Sequence, residues 1–341
     1  MTKPSRKIRL SDLASHCGVS QSTASRALSG TPGVREDLRR KILEAARALN
    51  YHVPTNFTGT RVIVAASAAA MIDFQRQQFT AYVLEGLRDR AQALGITLET
   101  RSVGNAAEER RLLEEAMATK EIVGLLFLTI DEEDMLASTR GLTKPVILVN
   151  GDDPDMRLSS VVPYNRAAAG LAVRHLRALG HERILFMARP GRTTIQRRME
   201  GWRDSILPLA GDGWRDLVAD AADWTPEAAR EVLRAHIDRH GRNFTAILAA
   251  GDILAVGAIM GLKEMGLSVP GDISVVGIDG LPQSDFLDPP LTSVHIPMRE
   301  IGAEAMNLLR DHIEDRTLIP RRLELSCRLV ERASTGPVAP A

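Results

Sequence analysis

Residues 20–26 read Ser-Gln-Ser-Thr-Ala-Ser-Arg, and their side chains are of the kinds that read nucleic acid. Gln and Arg each offer two hydrogen-bonding atoms, the arrangement that matches the major-groove edges of adenine and guanine. Gln21, Ser22 and Arg26 stand at i, i+1 and i+5, which keeps them roughly on one face of a helix. Ser20, Thr23 and Ser25 carry small hydroxyls that suit phosphate oxygens, as do the backbone N–H groups at a helix start. Small apolar residues between them, Val19, Ala24, Ala27 and Leu28, permit close approach to a partner. A capped surface helix can have the same composition, so the context has to decide.

Charge supplies part of that context. The formal net charge is zero, yet residues 1–53 hold ten Lys/Arg against four Asp/Glu. A basic head on an acidic remainder points to a polyanionic partner for the head. Cys17 and Cys327 are the only cysteines and lie at opposite ends, so neither a disulfide framework nor a CxxC pair is expected, in keeping with a reducing compartment. The first residues lack the apolar run of a secretory signal, and the longest apolar run, residues 62–72, is too short to span a bilayer. These features predict a soluble, cytoplasmic protein.

Other constellations argue against catalysis. His236 and His240 are spaced i, i+4 without an HExxH context, which reads as a solvated helix face and not a metal site. Asp131, Glu132, Glu133 and Asp134 suit the positive end of a helix dipole. No GxSxG, P-loop or convincing acid/base pair is present, so neither an enzyme nor a cofactor is expected.

Three short helices must position residues 20–26. The first is expected to start at a Ser11 cap and stop at Gly18, and the second to start at a Ser20 cap with Ala24, Ala27 and Leu28 inward. The third, within residues 35–50, carries the stripe Leu38, Ile42, Ala45, Ala46 and Leu49 at helical spacing. A short linker, residues 54–60, follows, with Phe57 its only large apolar side chain. Beyond it short apolar runs alternate with amphipathic helices, several ending in Gly, which predicts an α/β core of two doubly wound parallel-sheet subdomains. The expected division is an N-subdomain of about 61–162 and 293–319, a C-subdomain of about 163–290 and 320–332, and a disordered tail, 333–341. In open α/β sheets ligands gather beyond the carboxyl ends of the strands. The polar residues there are Ser67, Thr129, Asn150, Arg189, Asp252 and Asp279. Phe74 and Phe79, after the first strand, can line such a cleft or belong to the core.

The stretch IRLSDLASHCGVSQSTASRALSGTPGVREDLRRKILEAARALNYHVP, residues 8–54, resembles the headpiece of the lactose-repressor/galactose-repressor (LacI/GalR) family. The likeness continues in HLRALGHERI, RRMEGW and VPGDISVVGIDGLPQSDFLDPPLTSVHIP. It implies a helix-turn-helix DNA-binding headpiece on a core like a periplasmic sugar-binding protein, with a small effector between the core subdomains. It further implies a homodimeric transcription factor, most simply a repressor, on a palindromic double-stranded operator. By resemblance Arg198 and Asp279 match the family's effector-binding arginine and aspartate, and Trp224 a position where an aromatic ring stacks on a sugar. Asp252 matches the aspartate of an Asn-Asp pair whose Asn is here Gly251. Arg189, Arg192, Arg197 and Arg198 together suggest a sugar acid. A solute-binding protein and a sugar-converting enzyme are the rivals; the basic headpiece disfavours the first and the missing acid/base pair the second. Residues 333–341 offer no heptad for a tetramer. The linker lacks the usual leucine of the family's hinge helix and is expected to be short and non-helical.

Overall fold

The structure, a computed structural model, describes residues 9–28, 33–49, 51, 57–75 and 78–338. The chain divides into two compact units, a headpiece that runs through Gly59 and a core that starts at Thr60. In the headpiece, α1 (Leu10–Cys17), α2 (Gln21–Leu28) and α3 (Glu36–Ala48) enclose Leu13, Cys17, Ala27, Ile42 and Ala46. Gly18 takes a left-handed conformation with φ 67° and its N–H closes α1, so the turn stops where a residue without Cβ stands. Ser11 does not cap α1. The N-cap is Arg9, two residues earlier, and the Asp12 carboxylate at the third helical position accepts the Arg9 N–H at 2.8 Å, a charge-assisted bond that a serine hydroxyl does not match. Residues 54–56 of the linker lie outside the described residues. Within it, residues 57–60 are not helical, and Phe57 is only 3% exposed.

The core contains two six-stranded sheets. The first is built from β1 (Arg61–Ser67), β2 (Thr97–Val103), β3 (Ile122–Leu128), β4 (Val146–Val149), β5 (Ser159–Pro163) and β11 (Arg322–Leu325), in the order β11-β5-β4-β3-β1-β2. All of its pairings are parallel. The helices α4 (Ala68–Gln75), α5 (Phe79–Leu94), α6 (Ala106–Ala118), α7 (Glu133–Ala137) and α12 (Met298–Glu314) accompany it. The second is built from β6 (Ile184–Ala188), β7 (Val218–Asp220), β8 (Ala246–Ala249), β9 (Ser274–Asp279), β10 (Thr292–His295) and β12 (Arg328–Val330), in the order β12-β10-β9-β8-β6-β7. Its helices are α8 (Asn165–Ala178), α9 (Thr193–Ala210), α10 (Pro226–His240) and α11 (Asp252–Glu264). Only its edge strand β12 is antiparallel. The inner strands of both sheets are buried along nearly their whole length, which is why they read as unbroken apolar runs.

Two of the expected boundaries move. Residues 292–295 form β10 of the second sheet, so the return crossing falls at residues 296–297 and not near 290–293. The final apolar stretch, expected to be one strand, is two. β11 belongs to the first sheet and β12 to the second, so the third crossing falls at 326–327 and not at 320. The tail is not disordered over residues 333–338; residues 339–341 lie outside the described residues. The Val275 N–H donates to the Ser334 carbonyl at 2.8 Å, and Ser334 Oγ donates to the Val275 carbonyl at 2.6 Å. The same Oγ accepts the Thr292 N–H at 2.8 Å. His175 and Thr292 meet the Thr335 hydroxyl, and His181 Nε2 donates to the Gly336 carbonyl. Small polar residues without periodicity look disordered in one dimension; here β9, β10 and the residues of and after α8 supply their partners.

Candidate functional site

The headpiece presents one polar helix face. Ala24 and Ala27 are buried, and this turns Gln21, Ser22, Ser25 and Arg26 to the exposed side. Ser20 caps α2, its Oγ accepting the Thr23 N–H at 3.1 Å and lying 2.9 Å from Ser22 Oγ and 2.8 Å from Thr23 Oγ1. Arg26 Nε donates to the Ser22 carbonyl at 3.4 Å. Two bidentate side chains and four hydroxyls thus crowd the first two turns of a helix that carries no acidic residue in its first turn.

In the core, a cavity of about 340 Å³ opens between the carboxyl ends of the two sheets, within the size range of small-molecule sites. Its ionic centre is Arg198 on α9. Trp202, one turn on, is fully buried; its indole N–H bonds the Ile184 carbonyl at 3.0 Å and its ring stacks on Phe186 at 5.3 Å. Gly201 faces the backbone of Arg166, where a Cβ would collide with the carbonyl oxygen. α9 is thereby pressed onto β6 and α8, and Arg198 Nε reaches Asn165 Oδ1 at 2.8 Å. Its Nη1 donates to the Ala250 carbonyl and lies 3.5 Å from Asp279 Oδ1. Burial pushes the Asp279 carboxyl up against the pull of Arg198. Arg192 reaches across to the other wall. Its Nη2 donates to the Asn150 carbonyl and its Nε lies 3.6 Å from Asp131 Oδ1; burial lowers the pKa of Arg192 and raises that of Asp131.

Among the described residues four non-glycines have positive φ, and three of them, Thr129 (59°), Asn150 (53°) and Asp279 (137°), line this cavity. Side chains held in sparsely populated backbone conformations gather at functional sites. Eight of the expected cleft residues come together here: Arg198, Asp279, Trp224, Asn150, Phe79, Thr129, Arg189 and Arg192. Asp252 does not. Gly277 leaves space beside it, and its carboxylate turns inward to accept from Ser293 Oγ at 2.5 Å, Ser284 Oγ at 2.7 Å and the Leu281 N–H at 2.9 Å. Its oxygens are committed to these donors inside the second subdomain, while burial pushes its carboxyl above the usual range. Ser67 likewise caps α4 by accepting the Ala70 N–H, Phe74 lies under Arg88, and Arg197 pairs with Asp152 and Glu200 away from the cavity. The sequence reading missed Asp73, Asp223 and Thr194. Thr194 Oγ1 is buried without a partner, and only its position next to the arginine loop hinted at a role.

Among the described residues no His/Cys/Asp/Glu group could hold a metal ion and no helix is long and apolar enough to cross a membrane. Residues 9–53 match the family described as bacterial regulatory proteins, lacI family, and residues 173–335 match the periplasmic binding protein-like domain. The HTH-type transcriptional regulator reg1 of Streptomyces lividans is 31% identical over 340 residues, covering 96% of each chain. The HTH-type transcriptional regulator MalR of Streptomyces coelicolor is 30% identical over 338 residues, again with 96% of each covered. Among solved structures, the transcriptional regulator CelR in complex with cellobiose matches with a TM-score of 0.73 at 26% identity, over 96% of this chain and 99% of that one. These relatives are regulators of transcription and not enzymes, and the chain belongs to the lacI family of bacterial regulatory proteins.

Proposed function

We propose that the protein is a homodimeric repressor that reads a palindromic operator with α2 and responds to a neutral carbohydrate held in the core cleft. The observation that carries the effector reading is the composition of the cavity wall. A partly exposed indole, Trp224, stands beside planar hydrogen-bonding groups, Arg198, Asp279 and Asn150. An aromatic face with flanking carboxylate and guanidinium groups suits a ring that is apolar on its faces and hydroxylated at its edge. A neutral ligand is favoured over a sugar acid because Arg198 faces Asp279 and Arg192 faces Asp131, which leaves Arg189 as the cavity arginine with no carboxylate against it among the described residues. Three arginines line the cavity, Arg189, Arg192 and Arg198, and so do three aspartates, Asp73, Asp223 and Asp279. Of the arginine loop, Arg197 faces elsewhere. The relative of known structure bound to cellobiose agrees with a neutral ligand.

For DNA, Gln21 and Arg26 would meet base edges while Ser20, Thr23 and Ser25 hold phosphates. One headpiece reads few base pairs, so two copies are required. Phe286, 87% exposed, and Met260 flank the Lys263–Asp288 ion pair on the second subdomain and offer an apolar face for the second copy. A protein that acts on DNA works in the cytoplasm of a bacterium. Calorimetry with cellobiose, maltose, galactose and glucuronate tests the effector reading. Binding of at least one neutral sugar, lost in Asp279→Asn, is expected; binding of glucuronate alone overturns it.

A further inference from the structure

Gly251 stands two residues beyond β8, behind the cavity wall, and two lining side chains, Trp224 and Asp279, pack against it. A Cβ at this position would lie 3.0 Å from Trp224 Cζ3, 3.6 Å from Trp224 Cε3 and 3.3 Å from Asp279 Oδ2. The backbone there is extended, with φ −162° and ψ 151°, a conformation open to every residue type. Space, and not conformation, is what the glycine provides. The surroundings leave the indole little freedom to retreat. The Trp224 backbone N–H is held by Asp223 Oδ1 at 2.8 Å, and the next residue, Thr225, caps α10 by accepting the Ala228 N–H at 3.1 Å. α10 is itself locked on α11, where a Cβ at Gly257 would collide with the Pro226 carbonyl. Asp279 is held by Arg198 and by the Asp252 N–H, 3.4 Å from Oδ2.

We infer that Gly251 is a specificity-determining residue of the cleft. It lets the Cζ3–Cε3 edge of the Trp224 indole rest against the main chain, which keeps the ring out of the cavity and leaves room for a carbohydrate to lie on the indole with its edge hydroxyls toward Asp279. The inference rests on the carbohydrate reading of the cleft. A side chain at 251 moves the ring into the space the ligand needs. It also introduces atoms beside Asp279 Oδ2, the second group that the ligand uses.

The test is a double-mutant cycle on the full-length dimer. Binding of cellobiose, maltose and galactose is measured by calorimetry, and the tightest of them is carried into Gly251→Ala, Trp224→Phe and the double variant. The expected result is a loss of about 10-fold for Gly251→Ala in the presence of Trp224, shrinking to about 2-fold or less in the Trp224→Phe background, where the smaller ring leaves space for the added methyl, the signature of residues coupled by contact. The double variant carries the same alanine, so its recovery separates a displaced ring from a damaged fold. A ligand-free readout accompanies it. Acrylamide quenching of the Trp224 component of fluorescence, taken as the difference from Trp224→Phe, should rise in Gly251→Ala as the ring moves into the open cavity. An equal loss on both backgrounds, or wild-type binding together with unchanged quenching in Gly251→Ala, overturns the inference. If the wild-type protein binds none of the sugars, the carbohydrate reading fails first and the inference falls with it.

Discussion

In the second subdomain of the core, Asp252 accepts hydrogen bonds from Ser284, Ser293 and Leu281, and Asp279 faces Arg198 across 3.5 Å. In the first, Glu109 on α6 is fully enclosed with neither carboxylate oxygen partnered, and Asp131 Oδ2 is also without a partner. Burial raises Glu109 to about 8, helped by nearby Glu132 and opposed by Arg110. The second subdomain therefore answers the carboxyls of Asp252 and Asp279 with its own groups, while its Arg192 turns to the first. The first satisfies Asp131 and the Asn150 carbonyl by reaching over the cleft to Arg192, whereas Asp152 pairs both with Arg197 and with Arg322 of its own sheet. An internally satisfied wall is suited to selecting a ligand, and a wall that depends on the other side is suited to moving when the ligand changes that dependence.

The largest effect should come from breaking the satisfied side. Arg198→Ala leaves Asp279 buried without its cation and strips the partners of Asn165 and the Ala250 carbonyl, and removing one member of a buried pair costs about 3–5 kcal/mol. Urea unfolding of the core should show this, and a loss under about 1 kcal/mol would mean that the pair is already solvated.

The next test repairs the unsatisfied side. The folded-state pKa of Glu109 is raised above its ordinary value of 4.5 to about 8, so the fold retains a proton that the unfolded chain releases. Stability is then lost as pH rises from about 4.5 toward 8 and is restored on acidification. Glu109→Gln removes the titration. It should leave stability nearly unchanged at pH 5 and raise it by about 2–4 kcal/mol at pH 8. Thermal unfolding at the two pH values checks this, and an equal gain at both would contradict a titrating origin.

Arg192→Ala probes the bridge itself. It should cost about 1–3 kcal/mol by leaving Asp131 and the Asn150 carbonyl without their partner. Hydrogen exchange should quicken at the Thr129 and Asn150 amides, which bond Val149 and Val161, while the amides of β9 stay protected. Uniform exchange across both sheets would erase the distinction between the walls. The smallest effect is expected at Asn150→Gly. Its φ of 53° already suits glycine, and stability should change by about 0.5 kcal/mol or less, with the loss confined to ligand affinity; a larger drop in urea unfolding would show that the Asn150 side chain holds the wall together.

What was legible in the sequence follows the range of the interactions. The Ser20 cap, the Gly18 stop and the inward Ala24 and Ala27 are set within four residues and were readable. Strand ends located Asn150, Arg189 and Asp279, because a parallel sheet brings its carboxyl ends together whatever its details. The direction of Asp252 was not readable, since Ser284 and Ser293, which turn it inward, lie far along the chain and beyond a turn. The helix start at Leu10 was misjudged because Asp12 outcompetes Ser11 as a cap, and the tail because His175, His181 and Val275 order it from a distance. The LacI/GalR resemblance carried Arg198 and Trp224 to the cleft, where composition alone had no means to put them.

Control of DNA binding by a carbohydrate in the core cleft is tested most directly on the full-length protein. A duplex enriched by that protein from a random-sequence pool serves as the probe. Its affinity is measured by fluorescence anisotropy at fixed salt, with and without the sugar that binds in calorimetry. The predicted result has three parts. The enriched site is palindromic, the sugar changes the affinity by at least about 10-fold, in the range of allosteric coupling, and Asp279→Asn abolishes that response while DNA binding itself persists. An affinity that is the same with and without the sugar, or a response that survives in Asp279→Asn, would contradict control through the cleft.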